Sequence, residues 1–136
     1  MTAVSAYAIL WRMEKWATET TSDFDAWFVN QNETVQVEVL ASVRVLEQVG
    51  PFLGRPLVDT LNGSKHANMK ELRVKVDEQV IRIAFAFDPD QMALLLTAGA
   101  KQGKNEKRFY TTLIRKADAL FDAHLKARQA KRRKDK

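Results

Sequence analysis

The chain of 136 residues contains no cysteine and only two histidines, His66 and His124. Without thiols the protein cannot form a disulfide scaffold, act through a cysteine nucleophile or bind zinc through thiolates. No HExxH pattern occurs, so a zinc site would need carboxylate ligands. We therefore predict no metal site and no cofactor.

Long apolar segments are also missing. No run of about 18 apolar residues, the length that a membrane-spanning helix needs, occurs in the chain. Residues 1–8 lack the basic start and the apolar stretch of a signal peptide, and charged residues follow soon after them. These absences predict a cytoplasmic protein with no membrane partner.

The composition is that of a globular protein, with 46% hydrophobic and 29% charged residues. The length predicts one domain, which we place at residues 1–125, followed by a basic tail at 126–136. Residues 1–60 carry 4 Lys/Arg and 8 Asp/Glu, whereas residues 126–136 carry 7 and 1. A basic C-terminal part favours an anionic partner, although the tail alone is equally compatible with a solvated segment.

The first half of the chain predicts a strand and two helices. Residues 5–12 are strand-like, and Ser22 and Asp23 are typical of an N-cap before a short helix that ends near Asn30. Residues 33–49 fit a helical stripe despite their many valines, and Gly50 is a helix stop. Residues 50–68 hold three of the five glycines and two of the three prolines, which predicts a long ordered loop or two turns.

The second half predicts an antiparallel meander and a final helix. Residues 69–76, 80–87 and 92–98 are strand-like and separated by turn residues. Residues 104–126 have helical periodicity, and we expect the chain to fray from Lys126. The order β-α-α-β-β-β-α predicts an α+β domain in which an antiparallel sheet packs against helices. The core stripe of the last helix is Phe109, Leu113, Ala117, Leu120 and Phe121.

Positive charge surrounds this predicted sheet. Lys65 and His66 precede its second strand, Arg73 lies on that strand, and Arg82 lies on the next strand beside small residues that leave room for a ligand. Lys101 follows the last strand. Guanidinium groups bind phosphate bidentately, so this pattern suits a phosphodiester. RNA cleavage without metal needs a base for the 2′-hydroxyl, cations for the phosphorane and an acid for the 5′-oxygen.

Each candidate also has a structural interpretation. Arg82 could pair with Glu71 across the sheet, His66 could be a surface or capping histidine, and Tyr110 fits core packing better than a site. His124 we take as structural, and the three tryptophans as core or partner surface. No P-loop, GxSxG or dinucleotide fingerprint is present.

Several motifs together resemble the phage-derived Gp49-like branch of the RelE/HigB toxins. They are residues 46–60, residues 64–73, residues 82–89 and residues 99–101, followed by Phe109-Tyr110, Leu113-Ile114, Ala117-Asp118 and His124-Leu125. The resemblance covers about residues 6–125 in a consistent order. It implies a small RelE-type α+β fold and the toxin of a type II toxin–antitoxin module, which cleaves mRNA on the ribosome without metal.

The resemblance also implies partners and site residues. The partners would be a helix-turn-helix antitoxin of the HigA type, mRNA and the ribosome. The catalytic candidates are Lys65, His66, Arg73, Arg82, Lys101 and Tyr110. The expected RNA contacts are Lys70, Lys75, Lys104, Lys107 and Arg108.

One departure from the resemblance concerns Ala100, where many relatives have an acidic residue. Loss of that carboxylate would raise the positive potential at Lys101 and remove an orienting partner, which leaves open a weakened endoribonuclease. Two other functions remain open as well. One is a ParE-like gyrase inhibitor without nuclease activity, and the other is a non-enzymatic nucleic-acid-binding module that relies on the tail.

Overall fold

The structure is a computed structural model that describes residues 15–101, 103 and 105–135. The predicted strand at 5–12 and the predicted RNA contact Lys104 lie outside the described residues. Among the helices of the described ranges, none combines the length and the apolar character needed to cross a membrane.

The described residues form five strands and three helices, which confirms the α+β class and is consistent with a small RelE-like domain. A single 3₁₀ turn, Gly50–Phe52, follows the second helix. In chain order the elements are β1 (Thr18–Thr20), α1 (Ser22–Val29), α2 (Glu33–Val49), β2 (Val58–Thr60), β3 (Lys70–Val76), β4 (Gln79–Phe87), β5 (Ala93–Ala100) and α3 (Glu106–Lys134).

Helix α1 begins at Ser22, and its N-cap is Thr21, one residue before the predicted cap. The Oγ1 of Thr21 accepts a hydrogen bond from the backbone N–H of Phe24 at 3.0 Å and donates one to the carbonyl of Leu96 at 2.6 Å. Thr21 has the extended backbone of an N-cap residue, so the prediction of Ser22 and Asp23 as the cap is wrong. The predicted end of this helix near Asn30 is confirmed.

Helix α2 confirms the prediction for residues 33–49. The side chain of Asn32 caps it by accepting from the N–H of Val35 at 2.9 Å. Gly50 ends it with a φ of 66°, and the indole of Trp16 occupies the space that a Cβ would need there. Burial of one apolar face offsets the low helix propensity of valine. The buried side chains are Val35, Val39, Val43 and Leu46.

The sheet has the order β1-β5-β4-β3-β2, in which β1 pairs parallel with β5 and the other neighbours are antiparallel. The predicted meander of three strands is therefore correct, since β3, β4 and β5 begin and end within two residues of their predicted limits. The prediction missed β1, which lies between the predicted first strand and the first helix, and β2, which lies inside the segment that we expected to be a loop. A strand of 3 residues is too short for alternation to reveal it.

Helices cover both faces of the sheet. On one face Ile81, Ile83 and Phe85 pack with α1 and α2. On the other face Ala84 and Ala86 lie beneath α3 and are fully buried. The prediction that the small residues beside Arg82 leave open room for a ligand is therefore wrong at Ala84, because the core stripe of α3 fills that space. The stripe consists of Phe109, Leu113, Ala117 and Phe121.

Helix α3 continues through the basic segment to Lys134, so the expected fraying from Lys126 is wrong. The segment consists of strong helix formers without glycine or proline, and cations in the last turn interact favourably with the helix dipole. Arg128 also forms a bidentate ion pair with Asp90, through contacts of 2.7 and 2.8 Å.

Candidate functional site

A hydrogen-bonded chain connects β4, α3 and β3 on the sheet face that α3 covers. Arg82 is 8% exposed, and its Nε donates to the hydroxyl of Tyr110 at 2.7 Å. The Tyr110 hydroxyl donates to Oε1 of Glu71 at 3.1 Å. The Nη1 of Arg82 donates to the carbonyl of Val80 at 3.0 Å. Tyr110 thus places its polar tip in the network, although we expected core packing to be its main role.

Arg73 completes this group. Arg73 and Arg82 are directly opposite each other in the pairing of β3 with β4, so both side chains leave the same face. The Nε of Arg73 lies 3.8 Å from Oε1 of Glu71, and its side chain is 40% exposed. The direct ion pair of Glu71 is therefore with Arg73, whereas its connection to Arg82 runs through Tyr110. We call Glu71, Arg73, Arg82 and Tyr110 the arginine site.

Glu71 is the residue of this site that sequence reasoning underrated. It is 4% exposed, and its Oε2 has no hydrogen-bond partner among the described residues. Burial raises the pKa of Glu71 above its usual value, although the hydrogen bond from Tyr110 and the nearby guanidinium charges oppose the shift. Alternation placed Glu71 on the polar face of β3, but no local pattern shows that a helix covers that face.

Burial also affects Tyr110. It raises the pKa of the Tyr110 hydroxyl, and the negative charge of Glu71 and the hydrogen bond to it raise that pKa further. The hydroxyl therefore keeps its proton at neutral pH and can donate it to the carboxylate. This state fits the observed direction of the hydrogen bond to Glu71.

Two aromatic rings hold the guanidinium of Arg82. Its central carbon lies 5.7 Å from the ring centroid of Phe109 and 5.6 Å from that of Tyr110. Phe109 can approach because Gly99, the strand partner of Arg82, has no side chain. A Cβ at Gly99 would lie 3.2 Å from the ring of Phe109. The glycine thus allows the packing that fixes the arginine.

The segment around Lys65 and His66 docks on α3 as a separate unit. The hydroxyl of Ser64 donates to Asp118, and the backbone N–H of Lys65 donates to the same carboxylate at 3.2 Å. Asp122 forms an ion pair with Lys65 and a contact of 2.8 Å with Nε2 of His66. We call these five residues the loop clamp.

The contacts of the loop clamp change the interpretation of Lys65 and His66, which were predicted as catalytic candidates. His66 packs its ring edge against Phe121 and is only 20% exposed, so the expectation of an exposed histidine is wrong. The hydrogen bond from Lys65 lowers the pKa of Asp122, and the same contact raises the pKa of Lys65. Asp118 and Asp122 were not predicted as partners, although their spacing of four residues places both on one helix face.

Lys101 lies near the arginine site but outside its hydrogen bonds. It follows β5 two residues after Gly99, and its Nζ is 4.0 Å from a carboxylate oxygen of Glu106. Lys101 and Val80 line a cavity of about 550 Å³ at the β3–β4 turn. Ala100 removes the carboxylate expected beside Lys101, but Glu106 supplies another one nearby.

The predicted RNA contacts are divided between the two faces. Lys75 is exposed on β3 two residues after Arg73, on the same face, and Lys107 and Arg108 are exposed in the first turn of α3. Lys70 pairs with Phe85 and therefore projects towards the opposite face. Three of the four described candidates thus lie on the side of the sheet that α3 covers.

A cavity of about 620 Å³ connects the loop clamp with the arginine site. Asn62 and Lys65 line its loop side, and Lys107, Tyr110, Arg115 and Asp122 line its α3 side. The described residues contain no group of three or more His, Asp or Glu side chains that could hold a metal ion. The cations that line this cavity are Lys65, Lys107 and Arg115.

The chain is similar to a known protein family and to two named relatives. Residues 26–122 match the model of the family described as Phage derived protein Gp49-like (DUF891). The chain is 41% identical over 123 residues to "Putative toxin HigB2" of Mycobacterium tuberculosis (strain ATCC 25618 / H37Rv). It is 46% identical over 94 residues to "Putative toxin HigB3" of the same organism.

The extent of these matches differs. The first covers 90% of this chain but 60% of its relative, so the chain spans about three fifths of the length of that protein. The second covers 69% of this chain and 80% of its relative. No solved structure matches the chain significantly.

Proposed function

Since this chain belongs to the Gp49-like family of phage-derived proteins, together with the HigB-type toxins, we propose that it is a type II toxin that cleaves translated mRNA at the ribosome. The observation that carries this proposal is the arginine site, in which two guanidinium groups share one buried carboxylate. The site therefore has an excess of positive charge, which suits a phosphodiester and its more negative transition state.

Arg73 and Arg82 would bind the scissile phosphate. Tyr110 and the carbonyl of Val80 hold Nε and Nη1 of Arg82, whereas Nη2 has no acceptor among the described residues. Arg73 is partly exposed beside it. Donors that are fixed before the substrate arrives stabilise a pentavalent phosphorane with little reorganisation. Arg82 thus supplies a positioned charge and Arg73 a more mobile one.

Tyr110 and Glu71 are the proposed route for the proton of the 2′-hydroxyl. As that oxygen attacks phosphorus, its proton moves to the Tyr110 hydroxyl while the tyrosine proton moves to Oε1 of Glu71. Glu71 can accept the proton because burial raises its pKa. His66 is less suited to be the base, since Asp122 and Phe121 already hold its ring.

A lysine of the 620 Å³ cavity would protonate the departing 5′-oxygen. The bond between phosphorus and this oxygen breaks, which leaves a 2′,3′-cyclic phosphate and a 5′-hydroxyl. Lys107 is better suited than Lys65, because the contact with Asp122 keeps the pKa of Lys65 high and its proton firmly bound. Lys101 remains an electrostatic contributor at the edge of the site.

The partners follow from this proposal. A toxin of this family requires an antitoxin, and we propose a helix-turn-helix protein of the HigA type. Its identity is tested by co-expressing the product of the adjacent reading frame, which should restore growth and co-purify with the toxin. The mRNA and the ribosome would be the other partners, which also places the protein in the cytoplasm.

The decisive experiment is induction of the protein in growing bacteria, followed by primer extension on several transcripts. We expect new 5′ ends inside translated regions, and they should disappear when translation is blocked. Growth arrest with intact mRNA and inhibited supercoiling would instead indicate a gyrase inhibitor. RNA binding that is lost entirely on deletion of residues 126–136, without cleavage, would indicate a simple nucleic-acid-binding module.

A further inference from the structure

The first half of α3 carries a row of cations, most of which have no role in the proposed cleavage mechanism. Between Glu106 and Asp118 the helix has four basic residues and no acidic residue. All four are exposed, as are two threonines between them. We call these six residues the α3 track: Lys107, Arg108, Thr111, Thr112, Arg115 and Lys116.

The track consists of two parallel lines at a spacing of four residues. One line is Lys107, Thr111 and Arg115, and the other is Arg108, Thr112 and Lys116. Residues four apart lie on the same face of a helix, about 6 Å from one another along the axis. Each line therefore extends for about 12 Å as cation, hydroxyl and cation.

Each line borders its own cavity, and both cavities reach a residue that holds Arg82. The first line borders the 620 Å³ cavity, which Tyr110 also lines. The second borders a cavity of about 630 Å³, which is also lined by Phe109 and Gly99. The track is thus a positively charged ridge between two hollows, one lined by Tyr110 and the other by Phe109, whose rings both lie near the guanidinium of Arg82.

The stability of the helix does not explain this charge. Lys107 and Arg108 lie in the first turn, where the helix dipole disfavours cations. Among the described residues, none of the four cations has a carboxylate within ion-pair distance, whereas Lys65, Lys101 and Arg128 each have one. Four exposed cations without a carboxylate partner, two of which the helix dipole disfavours, favour a role in binding.

We propose that the α3 track binds the sugar-phosphate backbone of single-stranded RNA next to the bond that the arginine site holds. Phosphates would lie along the ridge, where lysine and arginine bind them and threonine hydroxyls donate hydrogen bonds. Unstacked bases would enter the hollows, which combine polar groups with apolar side chains such as Ile114 and Leu113. The inference rests on the proposed function for its substrate, but binding can be measured without cleavage.

The test compares two charge reversals on the same helix. The first variant, Arg115→Glu with Lys116→Glu, alters the track. The second, Arg132→Glu with Arg133→Glu, changes the net charge equally near the end of α3, where the side chains are also exposed. The ligand is a fluorescent single-stranded RNA of mixed sequence that is longer than the track. Its affinity is measured by fluorescence anisotropy at several salt concentrations.

We expect the track variant to bind at least tenfold more weakly than the wild type, and the control to change less than threefold. Each lost phosphate contact reduces the salt dependence on single strands by about 0.7 in slope, so two lost contacts should flatten it by about 1.4. Because all four side chains are exposed, both variants should fold, which circular dichroism verifies. Arg115→Gln with Lys116→Gln tests the same contacts if the reversal unfolds the helix.

Three outcomes would overturn the inference: equal loss in the track variant and the control, an unchanged salt slope in the track variant, or no RNA binding by the wild type. The proposed function fails separately, if induction of the wild type produces no cuts in translated mRNA. A track variant that binds weakly in that case still supports the track as an RNA-binding surface.

Discussion

The arginine site and the loop clamp both combine basic side chains with carboxylates, but they balance these charges differently. In the loop clamp two carboxylates face one lysine and one histidine, and each polar group has a close partner. In the arginine site two guanidinium groups face one buried carboxylate. A cation that is already neutralised by a neighbour gains little from a phosphate. The excess charge, more than the number of cations, distinguishes a binding site from a structural one.

Arg82→Ala should have the largest effect. Removal of the fixed donor at the proposed phosphate position should reduce cleavage about a hundredfold to a thousandfold, as loss of an oxyanion donor does. The measurement is growth inhibition after induction, together with primer extension. Lys65→Ala, which removes a cation of the loop clamp, is the matched control and should remain toxic.

Since Arg82 is buried, its loss could also disturb folding, so thermal unfolding of both variants accompanies the assay. Arg73→Ala gives a second test, because this side chain is partly exposed and its removal leaves the core intact. Full toxicity of a folded Arg82→Ala variant would remove Arg82 from the site.

Tyr110→Phe should have the next largest effect. The ring remains over Arg82, but Nε of Arg82 and Oε1 of Glu71 lose their shared partner. Leaving buried polar groups unpaired costs about 1–3 kcal/mol, so the free energy of unfolding should fall by that amount, and cleavage should fall with it. Urea denaturation and primer extension measure the two effects. Unchanged cleavage would exclude the tyrosine from proton transfer.

The two carboxylates should respond oppositely to pH. Glu71 has a raised pKa in the folded protein, so its protonated form favours folding, and stability should fall as pH rises from about 4.5 through the folded value. Asp122 has a lowered pKa, so its contribution is present above about 3.8 and is lost as pH falls further.

Glu71→Gln and Asp122→Asn separate these contributions in unfolding experiments at a series of pH values. The free energy of unfolding of Glu71→Gln should increase relative to that of the wild type as pH rises. Asp122→Asn should be less stable than the wild type at neutral pH, and this difference should disappear as pH falls. If the stability difference from the wild type changed with pH in the same direction for both variants, the contrast between the arginine site and the loop clamp would be contradicted.

His66→Ala should have the smallest effect on function. It removes the contact with Asp122 and the ring packing on Phe121, so unfolding should become easier by about 1 kcal/mol. Cleavage should remain within threefold of the wild type. If cleavage disappears while stability is unchanged, His66 is the base after all.

Periodicity predicted the fold better at its centre than at its edges. Helix α2 and strands β3, β4 and β5 bury regular apolar faces, so the pattern located them closely. Strand β2 was not predicted because three residues are too few to show alternation. The end of α3 was not predicted because a polar helix has no apolar stripe.

The sequence predicted which charged residues belong to the candidate site, but not which cation pairs with which carboxylate. Alternation placed Arg73 and Arg82 on strand faces, and their opposition in register depends on the hairpin between them. The pairing of Lys65 and His66 with α3 joins segments that are more than 50 residues apart in the chain. No local pattern reveals which carboxylate will neutralise which cation, so the difference between the arginine site and the loop clamp required the structure.

The most direct test of the account maps 5′ ends of translated transcripts in bacteria that produce the wild type, Arg82→Ala or His66→Ala at equal levels. We predict cuts that depend on translation in the wild type and in His66→Ala, and none in Arg82→Ala. Cuts that persist in Arg82→Ala but vanish in His66→Ala would place the chemistry in the loop clamp and contradict the account.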